Sequence, residues 1–210
     1  MIRRDAKTRK RDLRRTMRER NRRSSDSERA QAGELICRLF QSIVVGEFWR
    51  TVLFYAPLAG EPDIWPLLPR AVDDGVRVLL PRLDEGRGLY EAAEVVSPAD
   101  DLCVGRFGVR EPRAHCSAVP LNSIDAVLVP GVAFDLAGHR LGRGAGFYDR
   151  MLSETSGERI GIAFDWQISE SVPTETHDVY MTRILTPMRH VICEETKKRR
   201  QMPPFQSLDG

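Results

Sequence analysis

Four short apolar segments constrain the fold of this chain more than any other feature of its sequence. They are Thr51–Tyr55, Val76–Leu80, Asp125–Val129 and Arg159–Ala163, and segments with helical periodicity lie between them. A strand that is apolar on both faces is typical of a parallel sheet with helices packed on both sides. The sequence therefore predicts an α/β fold, a three-layer sandwich with a mainly parallel central sheet flanked by helices.

Residues that disrupt regular structure mark the ends of these segments. Pro81 is predicted to stop the second strand, and Pro130 with Gly131 to close the third. Helices are expected at Trp65–Val72 and at 147–152. The region 84–122 is rich in Gly, Pro and Asp, and two further strands are expected within it, at Leu89–Glu94 and Leu102–Phe107.

The N-terminal part of the chain predicts two helices. Residues 5–22 contain no Gly or Pro, and their clear apolar anchors are Leu13 and Met17, which is typical of a surface helix. Ser25 and Glu28 have the spacing of a capping box that begins a second helix. The buried face predicted for that helix consists of Ala32, Leu35, Ile36, Leu39, Phe40 and Ile43.

The charge is distributed unevenly along the chain. Residues 1–23 carry twelve Lys and Arg against three acids, and residues 197–210 carry four against one, so the region between them is acidic although the net charge is +2. A general nucleic-acid-binding surface is therefore not expected, whereas a basic N-terminal helix is suited to contact an anionic ligand. We expect one domain over residues 1–194 and a basic, disordered tail over 195–210.

Several classes of protein are disfavoured by the sequence. No apolar run approaches the roughly 18 residues that a membrane helix needs, and no secretory signal is recognisable. The four cysteines, Cys37, Cys103, Cys116 and Cys193, are widely separated and form no CxxC pair. Free thiols are typical of a reducing compartment, and we expect a cytoplasmic protein without membrane contact.

The segment RLGRGAGFYD, residues 140–149, carries the strongest chemical signal. Gly142, Gly144 and Gly146 alternate with Arg143 and Ala145. Glycines allow a backbone to approach a ligand closely and to turn N–H groups toward phosphate oxygens, and arginine supplies forked donors. The spacing matches neither a P-loop nor a dinucleotide-binding fingerprint. By itself the pattern fits a phosphate loop and a glycine-rich turn equally well.

Together with other segments, this loop resembles the 5-formyltetrahydrofolate cyclo-ligase family, also called 5,10-methenyltetrahydrofolate synthetases. The loop and its flanks, PGVAFDLAGHRLGRGAGFYDR, are similar to the family signature. Further resemblances, in the family's order, are Lys10–Arg14 (KRDLR), Tyr55–Asp63 (YAPLAGEPD), Phe107–Pro112 (FGVREP) and Pro173–Asp178 (PTETHD). They cover roughly residues 7–187.

The resemblance implies an α/β enzyme that uses ATP and Mg²⁺ to convert 5-formyltetrahydrofolate into 5,10-methenyltetrahydrofolate, ADP and phosphate. It implies phosphorylation of the formyl oxygen followed by attack of N10. It implies ATP contacts at Lys10, Arg14, Arg140, Leu141, Gly142, Arg143, Gly144, Ala145, Gly146, Phe147 and Tyr148. Arg143 is expected to be catalytic, Tyr55 and Glu61 to bind the folate, and Asp149 and Asp178 to bind magnesium.

Each of these residues also has a plainer interpretation. Lys10 and Arg14 share a face of a basic helix that water alone would solvate. Asp149 near a helix start interacts favourably with the helix dipole, and Asp178 fits an ordinary turn. Tyr55, like Phe147 and Tyr148, is equally suited to the core.

Two alternative functions follow from what the resemblance leaves open. Family loops often carry Lys or Gly where this chain has Ala145, which leaves room for an ATP-dependent paralogue that acts on another small molecule. An RNA-binding protein that uses the basic arm is the third hypothesis, disfavoured because the arm lacks aromatic residues. We expect ATP and a reduced folate as ligands, the folate in either its monoglutamate or polyglutamate form. We expect the protein to be a monomer, and we do not expect it to bind nucleic acid.

Overall fold

The computed structural model describes residues 5–44, 46–105 and 108–193. The helices within this part are α1 (Ala6–Arg23), α2 (Asp26–Val44), α3 (Leu67–Asp73) and α4 (Phe147–Ser153). The first strands are β1 (Thr51–Leu53), β2 (Arg77–Asp84), β3 (Leu89–Glu94), β4 (Leu102–Val104), β5 (Arg110–Pro112) and β6 (Ala118–Val119). The later strands are β7 (Ala126–Pro130), β8 (Ala133–Phe134), β9 (Arg140–Leu141), β10 (Glu158–Ile162), β11 (Arg183–Thr186) and β12 (Arg189–Ile192).

The central sheet has the order β12-β11-β10-β7-β1-β2-β3-β6. Its five middle strands, from β11 to β2, pair in parallel, and β12, β3 and β6 add antiparallel edges. Two small antiparallel pairs, β4 with β5 and β8 with β9, lie outside this sheet. The predicted α/β fold with a mainly parallel sheet is confirmed.

Helices cover both faces of the sheet. Val52, Val78 and Leu128 point toward one face and pack in one core cluster with residues of α2 and α3. Their neighbours Leu53 and Leu79 point toward the other face, in a second cluster that includes residues of α4. Because successive residues of a strand alternate between faces, strands that must fill both clusters are apolar throughout.

The two N-terminal helices begin where the sequence predicts. Asp5 caps α1 by accepting a hydrogen bond from the Thr8 N–H at 2.7 Å. The capping box of α2 is present, since the Glu28 N–H donates to Ser25 Oγ at 3.1 Å and the Ser25 N–H donates to Glu28 Oε2 at 2.7 Å. Leu35 was wrongly assigned to the buried face of α2, because 46% of its surface is exposed.

Helix α1 lies against the molecule through a small apolar contact. Met17 is buried in a cluster with Ala133, Leu141 and Val172, and Leu13 packs at its edge. This contact fixes α1 beside strand β9, at the start of the glycine-rich segment. Within the described residues, no helix has both the length and the apolar character needed to cross a bilayer.

The prediction that Pro81 ends the second strand is wrong, because β2 continues to Asp84. The Leu79 carbonyl accepts a hydrogen bond from the Phe54 N–H at 2.8 Å, on the side of β2 that faces β1. The backbone hydrogen-bonding groups of residues two apart in a strand point to the same side, so those of position 81 also point toward β1. Strand β1, however, ends at Leu53. Pro81 therefore lies where no ladder donor is required.

Other predicted boundaries differ only slightly. The prediction for β3 matches the observed strand. Strand β1 begins where predicted but ends two residues earlier, at Leu53, and β7 is displaced by one residue. Residues 106 and 107 of the predicted strand Leu102–Phe107 lie outside the described residues, as does the tail 195–210.

Candidate active site

A cavity of about 600 Å³ opens at the carboxyl ends of the parallel strands. Its walls come from α1, the loop after β1, strands β2, β3 and β5, the segment 140–149, and the segment 175–178. Ligands of open α/β sheets bind at this edge, and the volume is typical of a small-molecule site. The cavity therefore joins segments that are far apart in sequence.

The glycine-rich segment forms one wall of this cavity. Gly144 and Gly146 have φ angles of +113° and +68°, which side-chain-bearing residues rarely adopt. Arg14 donates from Nε to the Gly142 carbonyl at 2.9 Å, which ties α1 to the segment. The glycines thus shape a tight turn and also expose its backbone to the cavity, so the two interpretations of the pattern are compatible.

Arg143 forms an ion pair with Glu61 across the cavity wall. Arg143 Nε donates to Glu61 Oε1 at 2.9 Å, and the second oxygen of Glu61 accepts the Leu58 N–H at 3.0 Å. The Arg143 side chain is 52% exposed and that of Glu61 only 7%. The loop cation therefore remains accessible to a ligand, while the carboxylate is held in place from two sides.

Arg140, the first residue of the glycine-rich segment, is a buried cation. Its Nη2 donates to Asp149 Oδ1 at 2.8 Å, its Nη1 donates to the Pro130 carbonyl at 3.3 Å, and its guanidinium lies 5.6 Å from the Tyr148 ring centroid. Burial of a charge without a partner is costly, so these contacts hold Arg140 in one position. Arg140 consequently orients the Asp149 carboxylate at the cavity.

Lys10 links helix α1 to the segment 175–178. Its Nζ donates to Glu175 Oε2 at 2.7 Å and to Asp178 at 2.7 and 2.9 Å. Burial by itself lowers the pKa of Lys10, but the hydrogen bonds to Asp178 and Glu175 outweigh it and raise the pKa above its ordinary value. The hydrogen bonds to Asp178 and Glu175 therefore favour the charged form of Lys10.

The two carboxylates expected to bind magnesium both line the cavity. Asp149 is paired with Arg140, and Asp178 with Lys10. The ligand atoms of Glu175, His177 and Asp178 lie within 4.8 Å of one another. Carboxylate oxygens beside a phosphate-sized cavity are the donors that Mg²⁺ uses together with substrate phosphates, so the residues fit this ion.

The expected folate contact of Tyr55 is wrong. Tyr55 is 1% exposed and does not reach the cavity, and its hydroxyl donates to the Pro62 carbonyl at 2.7 Å. Burial raises the pKa of Tyr55 well above its usual value. The ring belongs to the core, and its hydroxyl supports the loop that carries Glu61.

The remaining expected contacts, Leu141, Ala145, Phe147 and Tyr148, line the cavity. Phe147 packs edge to face against Tyr90 with ring centroids 5.1 Å apart. Burial, with a smaller effect of Glu61, raises the pKa of Tyr148 far above its ordinary value. Both aromatic side chains therefore contribute to the core and to the cavity wall.

Sequence reasoning missed several lining residues: Lys7, Pro81, Tyr90, Arg110, Glu111, Glu175 and His177. A signal existed for four of them, since Arg110 and Glu111 belong to the FGVREP segment and Glu175 and His177 to PTETHD. Within these two segments the resemblance predicts a role for Asp178 alone. Phe107, the first residue of FGVREP, lies outside the described residues.

A sequence model of the 5-formyltetrahydrofolate cyclo-ligase family matches residues 6–187 of this chain. These residues include every wall of the cavity. The chain belongs to this family. The cyclo-ligase of Mycolicibacterium smegmatis is 37% identical over 154 residues, which cover 69% of this chain and 77% of that protein. The cyclo-ligase of Escherichia coli K12 is 33% identical over 147 residues, which cover 66% of this chain and 79% of its relative.

Solved structures agree with this membership of the cyclo-ligase family. The NMR structure of Aquifex aeolicus 5,10-methenyltetrahydrofolate synthetase has a TM-score of 0.80 and 31% identity, and the match covers 88% of this chain and 93% of that one. A 5,10-methenyltetrahydrofolate synthetase from Mycoplasma pneumoniae shares the fold with a TM-score of 0.69 at 20% identity. That match covers 85% of this chain and 98% of the other.

Proposed function

We propose that this family member cyclises 5-formyltetrahydrofolate to 5,10-methenyltetrahydrofolate, and that it consumes ATP and requires Mg²⁺. One observation carries the proposal: the separated segments that resemble the family all contribute side chains to a single cavity. Lys10, Glu61, Arg143 and Asp178 lie far apart in sequence and line the same space. Core packing alone gives no reason for so many charged groups to converge there.

The chemistry explains why a phosphoryl donor is needed. The formyl carbon on N5 belongs to an amide, and its oxygen is a poor leaving group. When the formyl oxygen attacks the γ-phosphorus, ADP departs and the oxygen becomes part of a phosphate ester. N10 then attacks the formyl carbon, the C–O bond breaks, phosphate leaves, and the N10 proton is released as the methenyl bridge forms.

The protein's part in these steps is to position the partners and to balance phosphate charge. Arg143 is the exposed cation of the glycine-rich wall, and we assign it to the transferring phosphoryl group. Lys10, Arg14 and Arg140 line the same cavity and supply further positive charge for ATP. Backbone N–H groups of the glycine-rich segment add donors for phosphate oxygens.

Glu61 connects the nucleotide and folate parts of the proposed site. Its carboxylate holds Arg143 by an ion pair of 2.9 Å, and it lines the cavity in which the folate would lie. A carboxylate in this position accepts hydrogen bonds from folate N–H groups and also sets the direction of the Arg143 guanidinium. We therefore assign Glu61 to folate binding and to the orientation of Arg143.

Asp149 and Asp178 would hold the magnesium ion, which when bound neutralises phosphate charge. Arg140 orients the first carboxylate, and Lys10 orients the second. At position 145, where the resemblance leads us to expect Lys or Gly, this chain has Ala. We infer that Arg143 and the cations of α1 supply the charge that such a lysine would provide.

We also propose the compartment in which the enzyme acts and its oligomeric state. Cys37, Cys103 and Cys116 are free thiols, as expected in a reducing compartment such as the cytoplasm. We propose a monomer that accepts reduced folate with one or more glutamates.

The direct test is incubation of the protein with 5-formyltetrahydrofolate and Mg·ATP, with omission of ATP as the control. The conjugated methenyl bridge produces new near-ultraviolet absorption in acid, which we expect only in the presence of ATP. Absence of this absorption in a protein that still binds ATP would contradict the proposal and favour another small-molecule substrate.

A further inference from the structure

Glu111, in strand β5, is a buried carboxylate at the wall of the cavity, and it has no role in the steps above. The residue is only 7% exposed. Its Oε2 accepts a hydrogen bond from the Leu83 N–H at 3.3 Å. Among the described residues, no donor lies within hydrogen-bonding distance of the buried Oε1. An unsatisfied buried oxygen costs about 1–3 kcal/mol, so a ligand that satisfies it gains a specific interaction.

The surrounding backbone holds the Glu111 carboxylate in place. Strand β5 pairs with β4, which sets Glu111 opposite Cys103. A side chain at Gly105 would bring a Cβ atom within 2.5 Å of the Glu111 Cδ atom. The absence of a side chain at Gly105 therefore leaves the space that the Glu111 carboxylate occupies.

The cavity wall that contains Glu111 is otherwise largely apolar. Pro81, Val109 and the aromatic pair Tyr90 and Phe147 also line the cavity. Burial raises the pKa of Tyr90, and the nearby Glu111 charge contributes to the shift. A flat heterocycle with hydrogen-bond donors on one edge suits this combination of an aromatic wall and a buried acceptor.

Glu61 has less capacity to accept hydrogen bonds from the donor edge of such a heterocycle. One of its oxygens already accepts from Arg143 and the other from the Leu58 N–H. Within the described part of the chain, one oxygen of Glu111 has no donor and the other has one, although each carboxylate oxygen can accept two hydrogen bonds.

We propose that Glu111 recognises the pyrimidine edge of the reduced folate, where its carboxylate accepts hydrogen bonds from N3–H and from the 2-amino group. The inference rests on the proposed function, because it takes the folate as the occupant of the cavity. It makes Glu111 a specificity-determining residue that contacts the substrate away from the reacting formyl group. Glu61 keeps its proposed contacts with other folate N–H groups and its ion pair with Arg143.

The test is calorimetric binding, without ATP, of 5-formyltetrahydrofolate and of an analogue in which hydrogen replaces the 2-amino group. The proteins are the full-length wild type, Glu111→Gln, and the control Glu91→Gln. Glu91 pairs with Arg82 on strand β3 and does not line the cavity. Each variant is checked by thermal unfolding, and its KM for ATP is measured.

We expect wild type and Glu91→Gln to prefer the natural folate over the analogue by about 10- to 100-fold, the range for hydrogen bonds to a charged group. Glu111→Gln should bind the natural folate more weakly by a similar factor and keep its KM for ATP. The analogue retains N3–H but lacks the 2-amino group, so its affinity should fall less than that of the natural folate. Equal weakening for both ligands, or an undiminished preference in Glu111→Gln, would show that Glu111 is only structural.

The same experiment separates failure of this inference from failure of the proposed function. If wild type binds the folate and forms the methenyl product but Glu111→Gln discriminates like wild type, only the assignment of Glu111 is wrong. If wild type neither binds 5-formyltetrahydrofolate nor converts it, the proposed function is wrong and the inference fails with it. If the Glu111→Gln variant does not fold, wild-type preference below about threefold would still contradict the inference.

Discussion

Arg143 and Glu61 are joined by an ion pair of 2.9 Å, although 82 positions separate them in the sequence. The pair connects the glycine-rich segment, which we assign to phosphate, with the loop after β1, which we assign to folate. A change in either partner must therefore affect the other. The charges of the two halves of the cavity are coupled through this ion pair.

Replacement of Arg143 by alanine should lower kcat by at least about tenfold, because charge stabilisation of the transferring phosphoryl group is lost. Thermal stability should change little, since the side chain is half exposed. Steady-state kinetics of the purified variant provide the measurement. A variant with near-normal kcat would contradict the catalytic role of Arg143.

Glu61→Ala should mainly raise the KM for the folate, and it should also reduce kcat because Arg143 loses its orienting partner. In the double variant with Arg143→Ala, the free-energy losses should fall short of their sum by at least about 0.5 kcal/mol, as expected for residues in contact. A four-protein cycle of kcat/KM values measures this coupling. Full additivity would show that the ion pair has no role in catalysis.

The convergence of these residues could be anticipated only in part. Motif order predicted that Lys10, Glu61 and Arg143 share a site, and the cavity contains all three. Their pairing could not be read from the sequence, because it depends on how the loop after β1 folds against the glycine-rich segment. Glu111 was missed for the same reason, since its surroundings are defined by Leu83 in β2 and by Gly105 just after β4.

Lys10→Met should raise the KM for ATP by about tenfold or more, because a cation of the proposed phosphate site is lost. The variant also leaves Asp178 and Glu175 without their shared partner, so a lower melting temperature is expected. Arg11→Met, on the exposed face of the same helix, is the matched control. Equal ATP affinity in the two variants would contradict the assignment.

Asp149→Asn should raise the Mg²⁺ concentration for half-maximal activity by roughly tenfold or more, because even groups that only support a metal ligand matter on that scale. Binding of Mn²⁺ in the presence of ATP, followed by electron paramagnetic resonance, provides a readout independent of turnover. Asp73→Asn, on the exposed end of α3, serves as the control. Unchanged metal dependence would remove Asp149 from the proposed metal site.

Tyr55→Phe should lower the free energy of unfolding by about 1 kcal/mol, the net value of a buried hydrogen bond, because the Pro62 carbonyl loses its donor. The KM for the folate should rise only slightly, since the ring does not reach the cavity. Urea unfolding and kinetics of Tyr55→Phe are compared with those of Tyr180→Phe, whose side chain is largely outside the core. A large rise in KM without loss of stability would restore the folate contact.

Cys37 should make the stability of the fold depend on alkaline pH. Burial, with a contribution from Asp63, raises the pKa of the Cys37 thiol to about 11. The unfolded chain releases this proton near the ordinary pKa of about 8.5, so stability is fully present below that pH and is lost as the pH rises toward 11. Relative to Cys37→Ala, wild type should lose on the order of 1–2 kcal/mol between pH 8.5 and 11, measured by urea unfolding.

The strands show which parts of a fold local pattern can predict. Apolar runs identified β1, β2, β7 and β10, whose residues fill both core clusters. Strand β11 was missed because it begins with Arg183, a buried cation. Arg183 pairs with Glu47 at 2.6 Å and lies 5.5 Å from the Trp49 ring centroid. These partners come from distant segments, so no local signal indicated that a charged residue would be buried there.

The most direct measurement follows the formyl oxygen of the substrate. 5-Formyltetrahydrofolate labelled with ¹⁸O in its formyl group is incubated with the protein and Mg·ATP, and the released phosphate is examined by mass spectrometry. If the formyl oxygen is phosphorylated, we expect one ¹⁸O atom in each released phosphate and one methenyl product for each ADP. Methenyl formation with unlabelled phosphate, or ATP consumption without methenyl formation, would contradict the proposed reaction.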